Sequence, residues 1–218
     1  MKYTTILFDL DGTITDSGEG IINSVSYALE KMNLPVPDKE QLYSFIGPPL
    51  NDSFRKLYQL NGSAIDQAVN YYRENYQDKG MYENHVYEGI TALLDDLKTA
   101  GCQLYIATSK PEVYAKQILA HFDLDTYFEG IYGASLDGDR SKKGDVIRYA
   151  LSSAKVTSLE KALMIGDRSH DIIGAKENQL ASVGVLYGFG DQDELTTAGA
   201  DYLAATPKEI ANIILEKK

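Results

Sequence analysis

Two aspartates separated by a single residue, Asp9 and Asp11, begin the part of the sequence that could carry out chemistry. They follow an apolar run and precede Gly12, a residue type that permits a sharp turn and lets backbone N–H groups approach an anion. Two such carboxylates can divide the work of phosphoryl transfer, since one can attack phosphorus while the other moves a proton. A polar turn after a strand would show the same residues, so the pair alone leaves both interpretations open.

Hydroxyl and amine side chains suited to binding an anion occur at two later places. Thr108, Ser109 and Lys110 follow the second apolar run and lead through Pro111 into a predicted helix. There a hydroxyl group, free backbone N–H groups and the helix dipole can together bind a phosphate. Lys142 and Lys143 precede a later predicted helix, and a lysine at the head of that helix can supply the cation that an acidic protein needs beside an anion. Helix capping and a solvated surface lysine are the structural alternatives.

A second acidic pair, Asp167 and Asp171, lies where a predicted strand passes into a predicted helix. The spacing places the first aspartate at the strand end and the second in the opening helical turn. Mg²⁺ is typically held by one or two carboxylates together with waters and a substrate phosphate, so this pair can share a magnesium ion. Complementing the helix dipole would explain Asp171 without a metal, but it explains Asp167 less well.

The segments that must position these residues alternate between short apolar runs and stretches of helical periodicity. This pattern is typical of a parallel sheet covered by helices, and it predicts an α/β fold with a doubly wound, Rossmann-like sheet. The predicted strands are Tyr3–Phe8, Gln103–Ala107, Glu129–Tyr132, Ala162–Ile165, Ser182–Tyr187 and Asp201–Leu203. The predicted helices of this part are Gly89–Ala100, Glu112–His121, Gly144–Ala154, Asp171–Gln179 and Pro207–Leu215.

Residues 17–84 depart from this alternation because they show helical periodicity with no intervening strand. The segment is too long for a connection, since a dozen residues is already long for one. We therefore predict an α/β core of residues 1–16 and 85–218 with an inserted helical domain of residues 17–84. Ligands of open parallel sheets bind beyond the carboxyl ends of the strands. Both ends of the insert return to the sheet near Asp9, which predicts that it covers that edge.

The composition limits the class of protein. The 218 residues carry a net charge of −11, with one cysteine and three histidines. This argues against a nucleic-acid polymer as partner, a disulfide framework or a cysteine-rich zinc site. No stretch approaches the roughly 20 apolar residues of a membrane span, and no secretory signal is recognised. We expect a cytoplasmic protein without a membrane partner, acting as a monomer or homodimer.

In their order along the chain, these sites resemble the four motifs of the haloacid dehalogenase superfamily. The matching residues are Asp9 with Asp11, Thr108, Lys143, and Asp167 with Asp171. The helical insert resembles the C1 cap of that family. Several segments are closer still to the 5′-nucleotidases that border the phosphoglycolate phosphatases: Phe8–Ser17, Phe45–Leu50, Ala107–Glu112, Gly133–Gly138 and Met164–Ala175. Phosphoglycolate phosphatases usually carry Lys-Pro-x-Pro at the third motif, which this chain lacks, so Lys142 is a second candidate for the site lysine.

The resemblance implies a Mg²⁺-dependent phosphomonoesterase acting through an aspartyl-phosphate on a small phosphorylated metabolite. The substrate would be that of a 5′-nucleotidase or of a phosphoglycolate phosphatase. Asp9 would be the nucleophile and Asp11 the general acid and base, while Thr108 and Lys143 hold the phosphoryl group. The implied metal ligands are Asp9, the Asp11 backbone carbonyl, Asp167 and, through water, Asp171. The predicted substrate contacts are Gly12, Thr13, Ser109, Lys110 and, from the insert, Gly47 and Arg55.

Two other functions stay open on the same residues. A sugar phosphomutase of this superfamily would share every core motif. A non-catalytic phospho-accepting signalling module also combines acidic residues, a hydroxyl and a lysine on a doubly wound sheet. Such modules typically carry adjacent acids after the first strand and have no helical insert, and this chain differs from them in both respects.

Overall fold

The computed structural model describes residues 1–216. It divides into two compact units, one formed by Met1–Thr15 and Val86–Lys218 and the other by Asp16–His85. The strands of the described residues are β1 Thr5–Phe8, β2 Thr15–Asp16, β3 His85–Val86, β4 Gln103–Pro111, β5 Gly130–Ala134, β6 Ala162–Gly166, β7 Ala181–Val185 and β8 Tyr202–Ala204. The α-helices are α1 Gly18–Lys31, α2 Lys39–Leu42, α3 Leu50–Tyr58, α4 Ser63–Asn75, α5 Ile90–Thr99, α6 Glu112–His121, α7 Lys143–Ser153, α8 Ser169–Glu177, α9 Gln192–Ala198 and α10 Pro207–Leu215.

The first unit is built on a six-stranded parallel sheet in the order β5-β4-β1-β6-β7-β8. Every residue of the two central strands β1 and β6 is buried, as their continuous apolar sequences require in a sheet covered on both faces. On one face, Leu7 and Met164 pack with Val146 and Ile147 of α7 in a single hydrophobic cluster. The predicted α/β fold class, a doubly wound parallel sheet, is confirmed.

The sheet differs from the prediction mainly at the end of β4. We predicted a strand that stops at Ala107, but β4 continues through the Thr-Ser-Lys segment to Pro111. Its pairing with β5 changes register between Thr108 and Pro111, and such an irregularity lets a strand tolerate a proline. Helix α9 was not predicted. It is only seven residues long, and just one of them, Leu195, is buried, so it has no apolar face to reveal it.

The second unit is helical and contains α1 to α4. Helix α1 packs tightly on the segment after α4, because a Cβ atom on Gly20 would lie 1.8 Å from the carbonyl oxygen of Gly80. The rings of Tyr72 and Tyr76 stack in its interior, with centroids 5.3 Å apart. Within residues 1–216, no helix is both long enough and apolar enough to span a bilayer.

Candidate active site

The chemistry-bearing residues of the first unit follow strands that end at one edge of the sheet. Strand β1 lies between β4 and β6, with Phe8 level with Ile106 on one side and Ile165 on the other. Asp9 therefore leaves the sheet beside the end of β6, where Asp167 follows two residues after Ile165. Parallel pairing thus brings together side chains that are far apart in the sequence.

Three aspartates form a buried group that we call the acidic cluster: Asp9, Asp167 and Asp171. Each offers a carboxylate oxygen within 4.8 Å of those of the other two. Burial raises the pKa of Asp167 well above its ordinary value, and the charges of Asp171 and Asp9 raise it further. Burial likewise raises the pKa of Asp171 to about 6. Three carboxylates held this close favour a cation among them.

One cation of the protein already enters the acidic cluster. The Nζ atom of Lys143 lies 2.8 Å from an oxygen of Asp9 and 2.8 Å from one of Asp171, and it donates to the carbonyl of Ala107 at 3.1 Å. Burial opposes the charge on this amine, but the two carboxylates outweigh it and raise the pKa of Lys143. Lys142, the other candidate, is exposed. When the three carboxyl groups are ionised, the single ammonium group leaves the cluster with a net negative charge, which suits a divalent cation.

Asp167 has the features expected of a metal ligand. Its Oδ2 atom accepts a hydrogen bond from the backbone N–H of Phe189 at 2.8 Å. Its Oδ1 atom is buried and has no hydrogen-bond partner among the described residues. A buried carboxylate oxygen without a partner is costly, and a hard cation such as Mg²⁺ would satisfy it. The residues of the acidic cluster therefore fit a divalent metal ion.

The segment that holds Asp167 was missed by the sequence analysis. Gly188, Phe189 and Gly190 pass directly over this aspartate. A Cβ atom on Gly188 would lie 2.4 Å from the Cβ of Asp167, and one on Gly190 would lie 2.0 Å from its carbonyl oxygen. Gly12, in the segment that follows β1, also comes close to this aspartate, since a Cβ there would lie 2.1 Å from Oδ2 of Asp167. The feature of the sequence that could have indicated this close approach is the pair of glycines that flank an aromatic residue after β7.

A methyl group on Gly188 is expected to weaken metal binding. Besides meeting Asp167, it would lie 2.3 Å from the carbonyl oxygen of Gly12, so both must move. Changes in the groups that orient a metal ligand typically cost about 10- to 100-fold in affinity. Calorimetric titration of Gly188→Ala with Mg²⁺ should show a loss of that size. Gly138→Ala is the control: its φ of +88° makes an alanine there cost stability, but its Cβ would meet nothing within 4 Å, so the metal affinity should not change. Unchanged affinity in Gly188→Ala would contradict this assignment.

Asp171 is held by the start of helix α8. Its Oδ2 atom accepts the backbone N–H of Arg168 at 3.0 Å. The side chain of Arg168 pairs with Glu194 at 3.0 Å, and Glu194 also accepts the backbone N–H of Ser169 at 2.7 Å. Glu194, from the unpredicted helix α9, thus caps the turn that carries Asp171. This contact was not predictable from local sequence, because 25 residues separate Ser169 from Glu194.

Asp11 is not a member of the acidic cluster. Its Oδ2 atom lies 3.1 Å from Nζ of Lys110, whose side chain is only 5% exposed. Its Oδ1 atom is buried and lacks a hydrogen-bond partner within the described part of the chain. The four aspartates that the sequence analysis grouped together therefore separate into the three of the acidic cluster and one beside Lys110.

The predicted phosphate-binding residues lie beside these groups but differ in their surroundings. Thr108 is buried, and its Oγ1 atom accepts the backbone N–H of Lys110 at 3.2 Å. Thr13 is also buried, and its carbonyl oxygen accepts the hydroxyl of Tyr187 at 3.0 Å. Ser109 is half-buried. A role of these residues in holding a substrate stays a prediction.

The two predicted contacts from the insert lie in the helical unit. Gly47 adopts a φ of +103°, which favours glycine, in the loop before α3. Arg55 is exposed on α3 and pairs with Asp52 at 2.8 Å. Their part in substrate recognition also stays a prediction.

The acidic cluster and the buried Lys143 lie at the carboxyl edge of a doubly wound sheet, where proteins of this fold class bind their ligands. The chain belongs to the haloacid dehalogenase-like hydrolase family, whose model matches residues 6–185.

Three individual proteins are similar to this chain over most of its length. A 5′-nucleotidase from Pseudomonas aeruginosa is 48% identical over 195 residues, which cover 89% of this chain and 88% of that protein. The tyrosine-protein kinase PtkA of Mycobacterium tuberculosis is 41% identical over 188 residues, covering 86% of this chain and 64% of that protein. The crystal structure of a predicted phosphatase from Clostridium acetobutylicum matches over the full length of both chains, with a TM-score of 0.96 and 50% identity. The predicted family and the predicted enzyme class, a phosphatase, are confirmed.

Proposed function

We propose that this phosphatase hydrolyses a small phosphomonoester in a Mg²⁺-dependent reaction through an aspartyl-phosphate on Asp9. The observation that carries the proposal is the division of the aspartates. Asp9 lies in the acidic cluster with Lys143, whereas Asp11 stands apart beside Lys110. A carboxylate that attacks a phosphate needs positive charge near it, because the two groups repel each other. The proton has to come from a second carboxyl group that is not part of the same cluster.

The acidic cluster is the proposed metal site. Asp9 and Asp167 would hold Mg²⁺ directly, with the backbone carbonyl of Asp11, while Asp171 would act through water. When bound, a magnesium ion offsets the repulsion between the Asp9 carboxylate and a phosphate dianion. The unsatisfied Oδ1 of Asp167 and the net negative charge of the cluster support this assignment.

The residues of the chain account for the remaining steps. A carboxylate oxygen of Asp9 bonds to phosphorus as the bond to the leaving oxygen breaks, and Asp11 gives that oxygen a proton. Asp11 then takes a proton from the water that attacks the phosphoryl group, which releases phosphate and restores Asp9. Lys143, 2.8 Å from Asp9, and the hydroxyl of Thr108 would hold the transferring oxygens.

The first substrate candidates are nucleoside 5′-monophosphates. The similarity to a 5′-nucleotidase over most of both chains supports this class. Phosphoglycolate is the second candidate, because the resemblance of the sequence extends to the phosphoglycolate phosphatases. We propose that residues 17–84 act as a cap that selects between them and that Gly47 and Arg55 contact the part of the substrate that is not transferred.

The test is a phosphate-release assay on a panel of metabolites. The panel holds nucleoside 5′- and 3′-monophosphates, phosphoglycolate and sugar phosphates, each with Mg²⁺, with EDTA, and with Mg²⁺ restored. We expect turnover of a 5′-monophosphate that falls more than about 100-fold in EDTA, since a metal supplies several kcal/mol of charge stabilisation. Turnover unaffected by EDTA would contradict the metal assignment.

Two further assays test whether the protein is instead a phosphomutase or a tyrosine kinase. A sugar bisphosphate is added to a sugar phosphate, and isomerisation without net phosphate release would indicate a phosphomutase instead. ATP is supplied with a tyrosine-containing peptide, because one relative carries the name of a tyrosine kinase. Phosphorylation of the peptide, without release of phosphate from any monoester, would contradict the proposal.

A further inference from the structure

Lys110 was predicted as a substrate contact, but its amine lies against another residue of the site. The Nζ atom is 3.1 Å from Oδ2 of Asp11, and both side chains are largely buried, with 5% and 14% exposed. We propose that Lys110 is a positioning residue, which holds the Asp11 carboxyl group in the orientation needed for proton transfer. This inference rests on the proposed function, because it assigns a partner to the proposed acid and base.

The backbone fixes the place from which Lys110 reaches Asp11. Lys110 lies in the irregular segment of β4, where the pairing with β5 changes register between Thr108 and Pro111. Irregularities of this kind redirect a side chain at the end of a strand. Its N–H donates to Oγ1 of Thr108 at 3.2 Å. On β5, a Cβ on Gly133 would lie 2.6 Å from the carbonyl oxygen of Lys110, so the two backbones are in close contact.

The ion pair divides the two oxygens of Asp11 between different tasks. Oδ2 is engaged by Lys110, whereas Oδ1 is buried and has no hydrogen-bond partner in the described part of the chain. With Oδ2 anchored, rotation of the carboxyl group is restricted and Oδ1 is the oxygen left to carry the proton. A buried ion pair contributes little net stability, because desolvation offsets the attraction between the charges. Positioning is therefore the better explanation of the pair.

The site thus uses two buried lysines for two purposes. Lys143 compensates the acidic cluster through its contacts with Asp9 and Asp171, whereas Lys110 contacts Asp11, which stands outside the cluster. A lysine that binds the phosphoryl group would support every phosphomonoester alike. A lysine that positions the proton donor would matter most for a leaving group that must be protonated as it departs.

The experiment compares an alkyl with an aryl phosphate in Lys110→Met. The alkyl substrate is the most active metabolite of the panel, and the aryl substrate is p-nitrophenyl phosphate, whose leaving group departs readily without a proton. We expect the single-turnover rate of leaving-group release to fall about 100-fold on the alkyl substrate and by less than about 10-fold on the aryl substrate. Leaving-group release is the step compared, because Asp11 also activates the water that hydrolyses the phosphoryl-enzyme, and that later step is common to both substrates. KM should change by less than about threefold, and Lys110→Arg should recover part of the loss because it keeps the charge.

The matched control is Lys116→Met, which removes an exposed lysine paired with Glu112 at 2.6 Å. Thermal unfolding of each variant verifies that it is folded, and should Lys110→Met not fold, Lys110→Gln takes its place. Equal losses on both substrates, or a loss expressed mainly in KM, would overturn the inference.

A double variant separates this inference from the proposed function. In Asp11→Asn, the same discrimination between alkyl and aryl substrates is expected, and adding Lys110→Met should cause little further loss. Independent, multiplying losses would overturn the positioning role while leaving Asp11 as acid and base. If Asp11→Asn itself shows no discrimination, the proposed role of Asp11 fails, and the inference fails with it.

Discussion

Asp9→Asn is expected to abolish turnover while leaving the fold intact. Asparagine has the same size and keeps the oxygen that accepts the backbone N–H of Leu10 at 2.8 Å. It cannot form an acyl phosphate, so kcat should fall by at least about 10⁴-fold, as happens when a covalent nucleophile is removed. Rapid acid quenching followed by peptide mass spectrometry should find one phosphoryl group on Asp9 of the parent chain and none on the variant.

The control for this variant is Asp145→Asn. Asp145 carries the same charge, but it is partly exposed and pairs with Arg148 at 2.7 Å. It should keep the parent rate and the phosphorylated peptide. Retained turnover in Asp9→Asn would exclude Asp9 as the nucleophile. A phosphorylated parent chain that releases no phosphate would instead indicate the phospho-accepting signalling module.

The fold was predictable because its signals are local. Strands such as β1 and β6 are buried on both faces, so their continuous apolar runs stand out from the periodic helices between them. The site followed from the fold, because Asp9 and Asp167 lie immediately after paired strands. A parallel sheet places both aspartates at the same edge, whereas the adjacency of β1 and β6, which makes them neighbours, was not predicted. Lys143 could also be predicted as a candidate in this way, because it lies at the start of a helix.

The contacts that orient the site were not predictable, because they depend on tertiary packing. The backbone N–H of Phe189 reaches Asp167 only because two flanking glycines allow the chain to pass so close. The interaction of Lys110 with Asp11 depends on the irregular end of β4, whereas we predicted a strand that stops at Ala107. Helix α9, which supplies Glu194, is too short and polar to show a periodic pattern.

Lys143→Met is expected to lower both activity and the stability of the metal-free protein. Methionine is similar in length but brings no charge, so Asp9 and Asp171 lose a cation that lies 2.8 Å from each. Removing one partner of a buried ion pair typically costs about 3–5 kcal/mol of unfolding free energy. Removing a group that stabilises transition-state charge typically costs about 10²–10³ in kcat. Urea unfolding in EDTA and phosphate release measure the two effects, with the exposed Lys142→Met as control.

The pH dependence of the loss in unfolding free energy shows whether Lys143 acts by compensating charge or only by filling space. In the metal-free protein, the raised pKa of Asp171, about 6 against 3.8, means that the folded state binds more protons than the unfolded state between those values. Its contribution to stability is therefore present below pH 3.8 and is lost as the pH rises through about 6. The charge of Lys143 lowers the pKa of Asp171. Without Lys143, the pH range in which protonated Asp171 contributes to stability should therefore extend to higher pH.

The difference in unfolding free energy between parent and Lys143→Met should therefore be small at pH 5 and grow toward pH 8. Added Mg²⁺ should reduce it, because a divalent cation bound only by the folded state supplies the missing charge. A difference that stays constant with pH and does not respond to Mg²⁺ would mean that Lys143 serves only to fill space. Because a methionine fills nearly the same space, such a result would also remove the electrostatic reason for placing a metal ion among Asp9, Asp167 and Asp171.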